Sequence, residues 1–177
     1  MPKAKKIMII RHGEKPKKKE KGVLANGIKN LDSLIVKGWT RAGALSHLFR
    51  AANVYLESPS ALYACYKSKH AQRALETLTP LSEILNIPID TSIQRDDERT
   101  MAKTAMNTDG VVLIAWEHQC IHRIANQIVD KNLVPQKWPK NRYDMIYVFT
   151  LNEDGKYTFQ QVPQLVVKGD IPTPFKV

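Results

Sequence analysis

The chain has 177 residues, 27 Lys and Arg against 17 Asp and Glu, a formal net charge of +10 and 43% hydrophobic residues. That apolar share supports a full core and excludes a disordered or collagen-like chain, and the length fits one domain over residues 1–177. The longest apolar runs, 7–10 and 111–116, are too short to span a bilayer or to form the core of an export signal, and Cys65 and Cys120 lie far apart in sequence, so the expectation is a cytoplasmic protein with free thiols and no membrane association.

The first element is the run 6–10, unbroken by alternation, which predicts a strand buried on both faces and ending at Arg11-His12-Gly13. Lys, Gly and Asn dominate 15–30, which reads as loop. Thr40 is placed to cap a helix whose apolar stripe is Leu45, Leu48, Phe49 and Ala52. A short strand follows at 61–65. Ser68 then caps a helix with Ala71, Ala74, Leu75 and Leu78 on one face and Leu81 and Leu85 beyond. Pro80 either kinks this helix or opens a new one. Residues 87–93 suit a strand, and 96–106 a helix with acids in its first turn. The second buried strand is 111–116, running into Glu117-His118 and a helix carrying Ile121, Ile124, Ala125 and Ile128. Residues 143–151 and 156–167 form a hairpin around Asp154-Gly155. The alternation predicts a three-layer α/β/α domain with a mostly parallel sheet and a C-terminal antiparallel hairpin.

The charge is concentrated at the start. Lys3, Lys5, Lys6, Arg11, Lys15, Lys17, Lys18, Lys19 and Lys21 stand against Glu14 and Glu20 within residues 1–21. Such a block is either a solvated loop or an attractor for nucleic acid, an anionic surface or an anionic substrate. No aromatic residue is interleaved with 15–21, which counts against nucleic acid, since single-strand binding leans on aromatic stacking.

Ligands of an open α/β sheet bind beyond the carboxyl ends of its strands. Both buried strands end in histidine, His12 and His118, and the strand at 61–65 leads to a helix bearing Arg73. Two His and two Arg meeting there suit a phosphoryl group: guanidinium forks match its oxygens, and a neutral imidazole attacks phosphorus. The spacing of His118 and His122 around Cys120 also brings zinc to mind, but His118 belongs to a strand end and the two do not share a helix face. His47 and His70 have no evident partners.

Arg11-His12-Gly13-Glu14 after a strand, Arg73-Ala74-x-x-Thr77 on a helix and a strand-terminal His118 together resemble the histidine phosphatase superfamily, over residues 6–130. Continuation into Lys15-Pro16, with Gly38-Trp39-Thr40-Arg41-Ala42 later, resembles a small subgroup of it. The resemblance implies the phosphoglycerate mutase-like fold and no metal or other cofactor. It implies His12 as a nucleophile that forms a phosphohistidine, with Arg11 and Arg73 on the non-bridging oxygens. His118 then donates to the transferring group, and Glu14 orients the pocket. The substrate is a phosphorylated small molecule or a phosphoprotein.

The general acid stays open among Glu117, Asp96, Asp97 and Glu98. Strand alternation sets Glu117 opposite His118 unless the strand has already ended. The acid-phosphatase branch carries Asp directly after the second His, where this chain has Gln119. The short phosphohistidine phosphatases resemble this chain in lacking insertions, but differ after Arg-His-Gly. Lys15 is placed at the pocket mouth, with Lys17, Lys18, Lys19 and Lys21 extending a positive rim. Two alternatives remain: a phosphoglycerate mutase-type transferase, which needs enclosing insertions this length does not hold, and a basic nucleic-acid- or anion-binding protein with a silent pocket.

Overall fold

The computed structural model describes residues 3–17, 20–51, 53–66 and 72–177. Ser68, Ala71, Ala52, Lys18, Lys19 and His70 lie outside the described residues.

A six-stranded sheet is flanked by four helices. The chain runs β1 Ala4–Arg11, α1 Val36–Arg50, β2 Ala61–Ala64, α2 Gln72–Leu85, β3 Ile89–Asp90, α3 Glu98–Asn107, β4 Gly110–Trp116, α4 Ile121–Ile128, β5 Met145–Leu151 and β6 Tyr157–Pro163. A 3-10 turn, Lys131–Leu133, leads toward β5. Sheet order is β3-β2-β4-β1-β5-β6. β4 lies parallel between β1 and β2, and β5 and β6 extend the β1 side in antiparallel sense. α1 packs on α2 and α3 on α4, the two helical layers of an α/β/α sandwich.

β1 and β4 take the centre because they are apolar on both faces: Ile7, Met8, Ile9, Ile10, Val112, Leu113, Ile114 and Ala115 are fully buried. Lys6 sits in this strand with its stem buried and its ammonium drawn out to Glu57, 3.0 Å away, and to the Tyr55 carbonyl. β1 and β4 pair up to Arg11 and Trp116, so both end at the same level. β5 runs the other way, and its first residues arrive at that same edge.

Several sequence expectations shift in detail. α1 begins at Val36, so Thr40 lies within the helix, its hydroxyl donating to the Val36 carbonyl rather than capping. Pro80 stays inside one continuous α2. The strand expected over 87–93 pairs only at Ile89 and Asp90, because β2 offers only Leu62 and Tyr63 as partners. The helix expected over 96–106 starts at Glu98, with Asp97 at its N-cap position. β6 stops at Pro163, which has no N–H for a ladder, and Leu165 turns the chain at φ 53°.

Two glycines bring α1 against the segment after β1. A Cβ on Gly38 would stand 2.6 Å from the Glu14 carbonyl oxygen and 2.9 Å from the Glu14 nitrogen, and one on Gly13 would stand 2.9 Å from the Gly38 carbonyl oxygen. Each contact is to backbone, so the helix or the loop must move. Gly38→Ala is expected to cost about 1–3 kcal/mol in urea unfolding. A variant as stable as the parent would show that α1 is not seated this tightly.

Candidate active site

The β1–β4 ladder runs one step past Arg11, with the His12 N–H donating to the Trp116 carbonyl over 3.3 Å. His12 and the residues after β4 therefore emerge side by side. The His12 ring is buried, with Nδ1 2.7 Å from the Gly13 carbonyl oxygen. A carbonyl only accepts, so Nδ1 carries the proton and Nε2 keeps its lone pair. Nε2 is itself buried, with no hydrogen-bond partner among the described residues. Burial and then the charge of Arg11 hold this imidazole well below the usual 6.5, Arg73 and Lys15 adding to the effect against the opposing bond to Gly13.

Arg11 is fully buried. Its Nη1 donates to the carbonyls of Arg142 at 2.7 Å and Lys140 at 2.9 Å, and its guanidinium carbon lies 3.8 Å from the centre of the Tyr143 ring. Nε has no partner among the described residues. One corner of the fork is thus anchored by backbone while another stays available to an oxyanion.

α2 locks the opposite wall. The Gly13 N–H donates to the Thr77 hydroxyl at 2.8 Å, and that hydroxyl donates to the Arg73 carbonyl at 2.6 Å. Arg73 itself donates to the Leu31 carbonyl at 2.9 Å, so part of its fork holds the loop before α1. Glu76 holds the same loop, accepting from the Ser33 hydroxyl and the Leu34 N–H. Burial raises this carboxyl despite those bonds.

β4 ends at Trp116, so Glu117 is released from strand alternation. One ring nitrogen each of His12 and His118 and one carboxylate oxygen of Glu117 lie within 4.8 Å of one another. His118 Nδ1 is buried without a partner among the described residues. Burial, then Arg11, Lys15, Lys140 and Arg95, push the His118 imidazole down to about 4. Two imidazoles and a carboxylate could also hold a divalent cation, but Arg11, Arg73 and Lys15 crowd the same place with positive charge and favour an anion. Lys15, half-buried, is lowered by burial and by Arg11, with Arg73 and Lys140 contributing further while Glu117 opposes.

Asp96, Asp97 and Glu98 do not enter this group. Glu98 accepts from the Trp116 indole N–H at 3.1 Å and from the Asp96 N–H at 3.0 Å, with Arg123 at 3.7 Å. Asp97 makes no side-chain capping bond. Asp96, Glu98 and Cys120 form a separate cluster beside Arg123. His122 lines one cleft with Asp96 and Glu98 and another with His118.

A buried ion cluster supports the loop after the nucleophile candidate. Arg41 grips Glu14 through two bonds of 2.8 and 3.0 Å and Asp170 through bonds of 2.7 and 3.1 Å, and donates to Gln164 at 2.6 Å. Burial alone would lower Arg41 and raise Asp170; the bonds to Glu14 and then Asp170 reverse the first, and those from Arg41 and the Val166 and Val167 N–H groups reverse the second. Tyr143, Gln164 and Asp170 escape a sequence reading. The one signal for Tyr143 is its place just before a strand that starts where β1 ends.

Both imidazoles are neutral in the folded chain at pH values where an exposed histidine would be charged. The unfolded chain takes up protons near pH 6.5 that the folded chain refuses, so their contribution to stability is complete above pH 6.5 and is lost as pH falls toward 4. Urea unfolding across that range is expected to show this fall, and His118→Gln to flatten it. An unchanged slope in that variant would contradict a neutral, buried His118.

No family model matches the sequence, and neither does any curated protein. Solved structures do match. The protein histidine phosphatase SixA complexed with tungstate aligns with a TM-score of 0.56 at 15% identity, covering 90% of this chain and 97% of that one. A phosphoserine phosphatase variant from Entamoeba histolytica in complex with phosphoserine aligns at 0.55 and 10% identity, covering 88% and 94%. A mycobacterial glucosyl-3-phosphoglycerate phosphatase complexed with VO3 aligns at 0.54 and 12% identity, covering 88% and 97%. At such identities the likeness is one of fold.

Proposed function

We propose that this chain, which has the phosphoglycerate mutase-like fold of the histidine phosphatases, is a phosphatase that hydrolyses phosphomonoesters or phosphorylated protein side chains through a phosphohistidine on His12. The observation that carries this reading is the state of His12: a neutral ring oriented by Gly13, with a partnerless lone pair at Nε2 beside Arg11. Nε2 attacks phosphorus as the ester P–O bond breaks. Arg11 and Arg73 take the charge spread over the equatorial oxygens, and Lys15 adds to the field at the mouth. His118, neutral, donates one N–H to the same group. Glu117 gives a proton to the leaving oxygen, then takes one from the water that cleaves the phosphohistidine and releases inorganic phosphate. The test is a panel of phosphoesters and a phosphohistidine protein, with phosphate release measured beside His12→Ala. No hydrolysis of any member would end the proposal.

The role of Glu117 has its own signature. Glu117→Gln is expected to lower kcat for an alkyl phosphate by about 10²-fold or more, the usual size of a lost general acid. Turnover of p-nitrophenyl phosphate or of phosphohistidine, whose leaving groups need little protonation, should fall far less. Equal losses on both kinds of substrate would remove Glu117 from the acid role.

The neutral ring also sets the pH profile. Because His12 attacks as the free base, the acid limb of kcat/KM should lie below pH 6.5, and Lys15→Gln should move it upward by removing one nearby charge. A limb centred at or above 6.5 in the parent would show that His12 is not the depressed base.

A further inference from the structure

Tyr143 does more than face Arg11. Its ring lies 6.1 Å from the His12 ring, and the residue also lines a cleft of about 340 Å3 beside the candidate active site. Lys15 belongs to both places: it feels Arg11, Arg73 and Glu117, and it lines the cleft. The two spaces therefore share a border.

The cleft's acids are largely taken. Glu14 and Asp170 are bound to Arg41, and Asp144 accepts from Arg142 Nε at 2.6 Å and from the Ile171 N–H at 2.9 Å. Its lysines are held less firmly. Lys15 has no hydrogen bond or ion pair among the described residues. Lys37 donates to the Lys168 carbonyl at 3.1 Å and lies 3.9 Å from Glu14, a carboxylate already held by Arg41. Lys17 also lines the cleft, and Glu20 is the remaining acid of the described lining. A concave surface on which the cations outnumber the acids, and whose ammonium groups are loosely held, favours an anion. The cleft's size suits a small molecule rather than a polymer.

We infer that this cleft is a second anion subsite, and that the substrate is a small molecule carrying a second phosphoryl group held by Lys15, Lys17 and Lys37 while the first is delivered to His12. The inference rests on the phosphatase reading for the first group. It adds a reason for the lysines after His12: they select a doubly phosphorylated substrate rather than only steering it.

The experiment is calorimetric titration of the full chain with a series of α,ω-alkane bisphosphonates and the matching monophosphonates, none of which can be hydrolysed. At least one bisphosphonate is expected to bind about tenfold or more tightly than its matching monophosphonate, by an amount that shrinks as salt is raised. Lys37→Gln should cut that lead about threefold or more. Equal affinities across every pair would overturn the subsite. A lead that survives Lys37→Gln undiminished would overturn its placement in this cleft. Phosphomonoester turnover is read separately: its absence alongside an intact bisphosphonate lead rejects the phosphatase reading and not the subsite.

Discussion

His12→Ala is expected to lower kcat for every phosphorylated substrate by about 10³-fold or more, the loss that follows from removing the proposed phosphoryl carrier. The fold should persist. The His12 ring makes one side-chain hydrogen bond, to the adjacent Gly13 carbonyl, and its other nitrogen is a buried polar atom without a partner. Losing the ring removes packing but also removes that cost, so the free energy of urea unfolding should change by no more than about 1–2 kcal/mol. Two readouts separate chemistry from folding. A phosphoenzyme trapped by rapid acid-free quenching should be present in the parent and absent in the variant. Vanadate should still bind the variant weakly through Arg11 and Arg73. Turnover retained in a folded His12→Ala protein would mean that phosphate leaves by another route.

The second large effect is one of stability. Arg41→Met should destabilise the chain by about 3–5 kcal/mol, the usual cost of stripping one member from a buried ion cluster. Side-chain exposure is 2% for Arg41, 9% for Glu14 and 4% for Asp170, so Asp170 would lose its counter-ion and Glu14 would keep only Lys37, 3.9 Å away. Arg41→Lys should recover little, because one ammonium cannot make the paired bonds to two carboxylates and a third to Gln164. A triple variant, Arg41→Met with Glu14→Gln and Asp170→Asn, should regain much of the loss by removing the charges together. If the single substitution costs less than about 1 kcal/mol, the cluster is weaker than its burial implies. Because Glu14 lies two residues after His12, Arg41→Met should also lower kcat more than it raises KM.

The buried strands were legible because residues 6–10 and 111–116 are apolar without alternation, a pattern that only burial on both faces satisfies. The helix after His118 was legible from Ile121, Ile124 and Ala125, which the structure buries. The short strand at Ile89–Asp90 was overextended, since its length depends on a neighbour, β2, that itself spans only four residues. Thr40 lies inside α1 rather than at its start because helix starts are set by packing as well as by local propensity, and α1 begins at Val36 with Gly38 packed on Glu14.

The candidate site divides along the same line. Sequence by itself determined the chemistry on offer: a histidine between an arginine and a glycine at a strand end, a second histidine after a second strand, an Arg-x-x-x-Thr helix and a lopsided positive charge. Those are local facts of residue type and order. Tertiary structure decided which of these groups stand together. Insertion of β4 between β1 and β2 brought His118 beside His12, and the end of β4 at Trp116 freed Glu117 to join them, while Asp96 and Glu98 cluster with Cys120 instead. The Arg41 cluster spans residues 14 to 170, and the cleft beside Tyr143 is closed by segments equally distant in the chain. Pairings of that range follow from strand order and from the need to neutralise buried charge, and neither is written in any short stretch of the chain.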